Sequence, residues 1–476
     1  ASFKMRIDSF RSVLVCFSVS LLPLVFGFIF VPFFLSPILH EVKRGLLDSI
    51  GSVFAGLGTE KGKMALSVVN RLGGAPEASV IGTTLKTSLT QAAMVNGELM
   101  YSLDFDTVPH LSPFVLPPVL SVTETLRPSG KELIAALAVG QEAARRINNS
   151  MNVLLSKIGK GGTSPDVFGN SNEHMLGGSL GLGKLMRLDR DALGNALGIA
   201  GYLCSVPTGR DWEDTIPKSI IKYAPAGWNC NASVMAVLLA QEGYTGSVTM
   251  LDNRYGFHKF YGAGMWEPER IVDRLGEHWE FPDCQYKLYP SCRFLQSALD
   301  CVQELLDTHH FKPQEITSID AFSLPFYAHP YQYKVTTQID AQYSFPYAAT
   351  QMVFGVKPGV DWQDMNHINN EEYQAYMKRI RIHGDPRAGE EKKKDPASWY
   401  ARVEMVVNGG IFSSETLYSK GTNIEGHRLS DTDLIRKFEH NALRIITQPK
   451  TRKAIDLIMH LEELDDASVL FKEITL

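Results

Sequence analysis

One stretch, GGSLGLGKLMRLDRDALGNALGIAG (177–201), restricts the folds open to this chain more than any other. Glycine in a helix interior costs about 1 kcal/mol relative to alanine. A segment this rich in small residues becomes helical only when its backbone lies directly against neighbouring helices. The stretch therefore predicts close helix packing, with LDRDALGNALGIAG (188–201) as the next helix. Its first eight letters also fit G-x-S-x-G, the nucleophile elbow, and G-x-x-x-x-G-K, the phosphate loop. The elbow needs a buried strand before Ser179, but SPDVFGNSNEHMLG is polar and turn-rich. The phosphate loop needs Ser or Thr after Lys184, and Leu185 stands there. Both activities are set aside.

From about Pro37 to Gly262 the pattern is helical. In PILHEVKRGLLDSIGSVFAG (37–56), Ile38, Val42, Leu46, Leu47 and Ile50 share one face. SGKELIAALAVGQEAARRINN (129–149) opens with a capping box, Ser129 followed by Glu132. NASVMAVLLAQEG (231–243) is a further small-residue helix. After Trp266 the texture changes: CQYKLYP (284–290), ITSIDAFSLP (316–325), RIRIHGD (379–385) and ARVEMVVNGGIFSSETLY (401–418) read as strands. The last turns at Gly409-Gly410, and helices are expected at 293–308 and 341–354. EEKKKD (390–395) reads as a solvated loop. From Asp431 the chain is helical again. The expected fold class is mainly α with a second α+β domain: a large discontinuous helical domain plus a smaller α+β lid. Its parts are 1–36 (hydrophobic segment), 37–266 (helical), 267–422 (α+β) and 423–476 (returning helices). The cleft between the two domains is the default site.

Ser12 to Leu39 holds no charged residue and follows Lys4, Arg6 and Arg11. That is long enough to span a bilayer and suits a signal or anchor. Pro23 and Pro32 interrupt it, which suits a buried core segment instead. Membrane association through residues 12–39 thus stands beside a cytoplasmic location as an expectation. None of the six cysteines forms C-x-x-C, which argues against zinc ribbons and clusters, and their scatter suits a reducing compartment. A net charge of −5 gives no support for nucleic-acid binding. An acidic substrate has to be held by a few local cations.

Five further blocks accompany the small-residue stretch: MVNGELMYSLDFDTVPH (94–110), SGKELIAALAVGQEAARRI (129–147), VMAVLLAQEGYTG (234–246), KLYPSC (287–292) and DAQYSFPYAATQMVFG (340–355). Together, in this order, they resemble the MmgE/PrpD family, which includes 2-methylcitrate dehydratases, cis-aconitate decarboxylases and an iminodisuccinate epimerase. The resemblance runs from about residue 37 to the end. It implies a large helical domain with a smaller α+β domain, a homodimer, and no metal or other cofactor. The implied activity is that of a 2-methylcitrate dehydratase-like lyase on a small di- or tricarboxylate. The alternatives are a decarboxylase or epimerase of the same family, or an inactive member serving as a binding or scaffold protein. Dehydration of such a substrate takes a proton from beside a carboxylate and expels hydroxide. It needs a base, an acid, and cations for the charge that develops.

LDFDTVPHLSPFVLP (103–117) offers Asp104, Asp106, Thr107 and His110 within seven residues. The resemblance makes Asp104, Thr107 and His110 catalytic, with His110 exchanging a proton and Asp104 fixing its tautomer or acting itself. Read without the resemblance, the same letters describe a turn with Asp104 as a helix cap and His110 exposed. Lys222 matches a family lysine that binds a substrate carboxylate or stabilises a carbanion; the alternative is a lysine snorkelling from a core edge. Lys287, Ser291 and Arg293 are candidate substrate ligands at a strand–helix junction, where a helix N-terminus would favour an anion. His329, in FYAHPYQY, is a further candidate. Arg210 and Lys218 are expected beside a surface ion-pair loop, GRDWED. His258, His309 and His460 read as structural or surface. Family enzymes carry Gly-Phe-His-Pro before the small-residue helix, and that position falls here on Phe168 or Gly169. His174, about five residues later, is a candidate replacement that reaches the cleft by another route. Otherwise another acid serves a different substrate, or activity is lost.

Overall fold

The computed structural model describes residues 36–151, 166–251, 253–262 and 266–476. The hydrophobic N-terminal segment up to residue 35 lies outside the described residues. Among the described residues, no helix is long and apolar enough to cross a membrane.

The helix His174–Leu185 sits at the centre of the helical part, packed against Gly130–Met151, Ser112–Ser121, Ala226–Gln241 and Arg190–Leu203. Glycine makes this possible. A Cβ on Gly177 would lie 2.3 Å from the Gly140 carbonyl oxygen, and one on Gly178 would lie 2.4 Å from that of Phe114. The letters of both decoy motifs are thus one buried helix, in which the Ser179 hydroxyl donates to the Met175 carbonyl at 3.1 Å. Caps set the neighbouring helices. Ser129 Oγ accepts from the Glu132 amide at 3.3 Å while Glu132 Oε2 accepts from the Ser129 amide at 2.9 Å. Asp189 caps Arg190–Leu203 through the Ala192 amide.

The α+β part carries a four-stranded sheet in the order Ile380–Gly384, Ile316–Ser323, Ala401–Val407, Gly410–Thr416. The first pair is parallel and the other two are antiparallel. Alternation puts Ala401, Val403, Met405 and Val407 in the core beside the helix Gln296–His309. The hairpin turns at Asn408-Gly409, both with positive φ, one residue before the expected pair.

Two expectations fail here. CQYKLYP is not a strand: Gln285 makes a single bridge to Val108, a loop residue of the helical part. EEKKKD is not a solvated loop. The Asp385 cap and Pro386 start a helix, Pro386–Lys394, whose i, i+4 pair Ala388 and Lys392 faces inward and is buried. The sequence also gave no hint of the two-residue strand pair at 78–79 and 86–87.

The C-terminal segment returns to the helical part. Asp431–Ala442 lies along Ser36–Gly56, with Phe438 Cα 3.3 Å from where a Gly51 Cβ would be. Buried charge reinforces the apolar contact: Lys437 Nζ donates to Asp48 Oδ1 at 2.7 Å, and Lys43 Nζ donates to Glu462 at 2.7 Å.

Candidate active site

The loop from Tyr101 to Leu111 is held from both parts of the molecule. Val108 exchanges two backbone hydrogen bonds with Gln285, at 2.9 and 2.8 Å. Three buried glutamines of the α+β part bind its carbonyls. Gln338 and Gln342 donate to Ser102 at 3.2 and 2.7 Å, and Gln363 donates to Leu103 at 2.9 Å. Lys437 adds a bond to the Phe105 carbonyl at 2.7 Å. Every orphan carbonyl paired in this way removes freedom from a loop that would otherwise be mobile.

Fixed so, Asp104 adopts a left-handed conformation, φ 56°, and buries its carboxylate between two lysines. Lys222 Nζ, from a residue also at positive φ, donates to Oδ1 at 2.7 Å. Lys287 Nζ lies 3.0 Å from Oδ2 and donates to the Asp104 carbonyl at 2.8 Å. Burial alone would push the Asp104 carboxyl up. The charges of Lys222, Lys287 and His110 outweigh it and hold the group well below the usual carboxylate range. Burial pushes the Lys222 ammonium down against the pull of Asp104. The face of Tyr101, 3.7 Å from Nζ to the ring centroid, completes its setting.

His110 lies beside this trio, its Nε2 3.5 Å from Asp104 Oδ1. Its Nδ1 is 2.7 Å from Asp106 Oδ2, and its Nε2 is 2.9 Å from the Tyr223 hydroxyl. An ionised Asp106 can only accept, so the proton belongs on Nδ1 and Nε2 accepts from Tyr223. Burial pushes the Tyr223 hydroxyl well above its ordinary range, so it stays a donor. The carboxylate bonded to the imidazole Nδ1 is therefore that of Asp106, while the Asp104 carboxylate meets the two lysines. The i, i+4 spacing of Asp106 and His110 was a usable signal; nothing in the sequence marked Tyr223.

The remaining candidates divide. Thr107 is buried in the same loop, its Oγ1 3.3 Å from Ser112 Oγ. His174 is fully buried: Nδ1 lies 2.9 Å from the His110 carbonyl oxygen and Nε2 3.3 Å from Glu173 Oε1. Burial pushes its imidazole down, so it stays neutral and steadies the backbone of His110. At the Gly-Phe-His-Pro position, Phe168 bridges to Thr208 and Gly169 donates its amide to the Tyr261 carbonyl. Ser291 Oγ accepts from Gln296 Nε2 at 3.0 Å. Arg293 turns to Ser419 Oγ, at 2.7 Å, and His329 is exposed, capping a short turn through the Tyr331 amide. Neither bonds to the Asp104–His110 cluster among the described residues. GRDWED forms a short helix, and Lys218 is buried over Trp212, 4.6 Å from its ring centroid.

Asp104, Asp106 and His110 place ligand-type atoms within 4.8 Å of one another. Both Asp104 oxygens face ammonium groups, which occupy the ground a metal cation would need. The arrangement suits an ion-pair network that stabilises negative charge and exchanges protons.

Comparison with known proteins gives matches along most of the chain. The MmgE/PrpD N-terminal domain matches residues 35–269 and the MmgE/PrpD C-terminal domain residues 289–463. A cis-aconitate decarboxylase of Mus musculus is 25% identical over 456 residues, covering 91% of this chain and 88% of that protein. One of Homo sapiens is 24% identical over 459 residues, covering 91% and 89%. One of Aspergillus terreus is 25% identical over 286 residues, covering 57% and 56%.

Proposed function

The chain belongs to the MmgE/PrpD family, and we propose that it is a lyase acting on a small di- or tricarboxylate by proton transfer beside a carboxylate. Decarboxylation of a cis-aconitate-like substrate is the leading reaction, in keeping with the similar proteins of mouse and human. One observation carries the reading: the buried Asp104–Lys222–Lys287 trio adjoins an imidazole whose Nε2 lies 2.9 Å from the Tyr223 hydroxyl.

In a decarboxylation the bond from carbon to one carboxylate breaks, CO₂ leaves, and the electron pair spreads into the neighbouring double bond. A proton must then reach carbon. His110 delivers it as an imidazolium that has first taken a proton from solvent on Nε2; Asp106 stabilises that imidazolium, and the Tyr223 hydroxyl donates to Nε2 once the proton has left. Lys222 and Lys287 hold the carboxylate onto which charge is delocalised. Thr107 is kept in the proposed set as a loop residue that positions these groups.

Dehydration is the second reading, favoured by the hydroxyl of Tyr223. His110 would take a proton from carbon while an acid protonates the departing hydroxide, and Tyr223 is the acid at hand. Incubation of the chain in D₂O with cis-aconitate, and separately with 2-methylcitrate, followed by NMR, tests both. CO₂ release with deuterium on carbon supports the first, loss of water the second, and exchange with inversion an epimerase. A folded protein that neither exchanges nor turns over any of a panel of di- and tricarboxylates would replace these with the inactive binding or scaffold role.

We also propose a homodimer. Tyr202, Val206, Trp228, Met235, Tyr244 and Phe260 are large apolar side chains left exposed on the helical part, and a second copy of the chain would cover such surface. Sedimentation velocity at micromolar concentration tests this, and a single monomeric species would overturn it.

A further inference from the structure

We propose that Arg293 and Lys392 form a second oxyanion site, built on the Trp399 indole in the α+β part and separate from the Asp104–His110 cluster. Its ligand is a small anion bearing a carboxylate or phosphate.

Arg293 is 6% exposed and Lys392 4%. The guanidinium carbon lies 4.8 Å from the centroid of the Trp399 ring, and Lys392 Nζ lies 3.5 Å from the same centroid. Two buried cations thus share one aromatic surface. Arg293 uses Nη1 on Ser419 Oγ, but its Nε and Nη2 are buried with no hydrogen-bond partner. Those two nitrogens lie on one edge of the guanidinium, the edge whose parallel N–H groups match a carboxylate or phosphate with two bonds. Lys392 donates to the Pro396 carbonyl. Ser398, next to Trp399, buries a hydroxyl that also lacks a partner.

The nearby carboxylates are engaged elsewhere. Asp300 accepts from the Tyr289 hydroxyl at 3.1 Å and from the Lys420 amide at 2.7 Å. Asp395 accepts from the Ala397 amide at 2.8 Å and from the Tyr418 hydroxyl at 2.5 Å. Among the described residues, neither Arg293 nor Lys392 forms an ion pair. Burial dominates in both: it pushes the Arg293 guanidinium down to about 9 against the pull of Asp300, and the Lys392 ammonium down to about 7, aided by Arg293 and opposed by Asp395. Buried like charges of this kind are ordinarily paired, and an oxyanion on the unpartnered edge of Arg293 would supply the pairing. The same residues explain why KKK in a charge run is not all solvent-facing: Lys392 turns inward while Lys393 and Lys394 stay exposed.

The test is calorimetric titration of the full chain with inorganic phosphate and, separately, with cis-aconitate. Saturable phosphate binding is expected, weakened at least tenfold in Arg293→Met and in Lys392→Met and unchanged in Asp106→Asn. Lys392→Met keeps the alkyl stem over the indole, so it decides the matter if Arg293→Met fails to fold. If cis-aconitate binding falls in the same variants and phosphate competes with it, the anion is a carboxylate; if only phosphate binding falls, it is a phosphate. No saturable binding of either anion by the folded protein, or binding that survives both substitutions, overturns the proposal.

Discussion

Asp106 Oδ2 lies 2.7 Å from His110 Nδ1, and both groups are buried. That contact puts the resting proton of the imidazole on Nδ1 and leaves Nε2 to accept from the Tyr223 hydroxyl. Asp106→Asn keeps the shape but removes the negative charge that would stabilise an imidazolium at His110. Turnover, or deuterium exchange where turnover is slow, is expected to fall about 10²–10⁴-fold. An unchanged rate in a folded variant would remove Asp106 from the relay.

Tyr223→Phe removes the hydroxyl on His110 Nε2 and leaves the ring among Tyr101, Trp212 and His110. If the phenol passes the proton, kcat should fall on the order of 10²-fold with little change in KM. A rise in KM at constant kcat would mean that Tyr223 only shapes the cleft.

Asp104 carries a pH prediction. Its folded pKa is depressed, so the stability it contributes is complete above the unfolded value of about 3.9 and is lost as pH falls below it. In Asp104→Asn, Lys222 and Lys287 remain buried without their counter-charge. Lys222 already sits below its ordinary value, and its pKa falls further in the variant, which therefore gains stability as pH rises toward about 10.4. The gap between wild type and variant should be about 3–5 kcal/mol near neutral pH and should narrow toward both extremes. Urea unfolding at several pH values measures it; a gap independent of pH would contradict the ion-pair account.

Gly177→Ala tests the packing of the central helix. The added methyl would sit 2.3 Å from the Gly140 carbonyl oxygen and 2.6 Å from Ala144 Cβ, with backbone on one side that cannot swing away. A loss of about 1–3 kcal/mol is expected in urea unfolding. A stabilised variant, as helix propensity alone would give, would show that the two helices can part without loss.

Much of this was legible in one dimension. Helical periodicity over 37–56, the Ser129–Glu132 box and the alternation of 401–407 correspond to elements whose stabilising groups lie within a few residues of each other. Small residues in 177–201 likewise announced close packing, since only contact with other backbones makes such a helix worthwhile. Where local signal misled, a distant partner had intervened. CQYKLYP has strand composition, yet Gln285 pairs with a loop, and EEKKKD has loop composition, yet Asp385 and Pro386 begin a helix there.

The site divides the same way. From the sequence alone came the residue types in LDFDTVPH and the lysines at 222 and 287, because a motif is a local property of the chain. Tertiary structure decided the pairings: Lys222 meets Asp104 across 118 residues, Lys287 meets it across 183, and Tyr223 meets His110 across 113. It also set His174 against the His110 carbonyl and buried Lys392 over the Trp399 ring. The physical reason is that ion pairs and hydrogen bonds depend on distances of a few ångströms. Between residues so far apart in the chain, those distances are set by how the helices and the sheet close on one another.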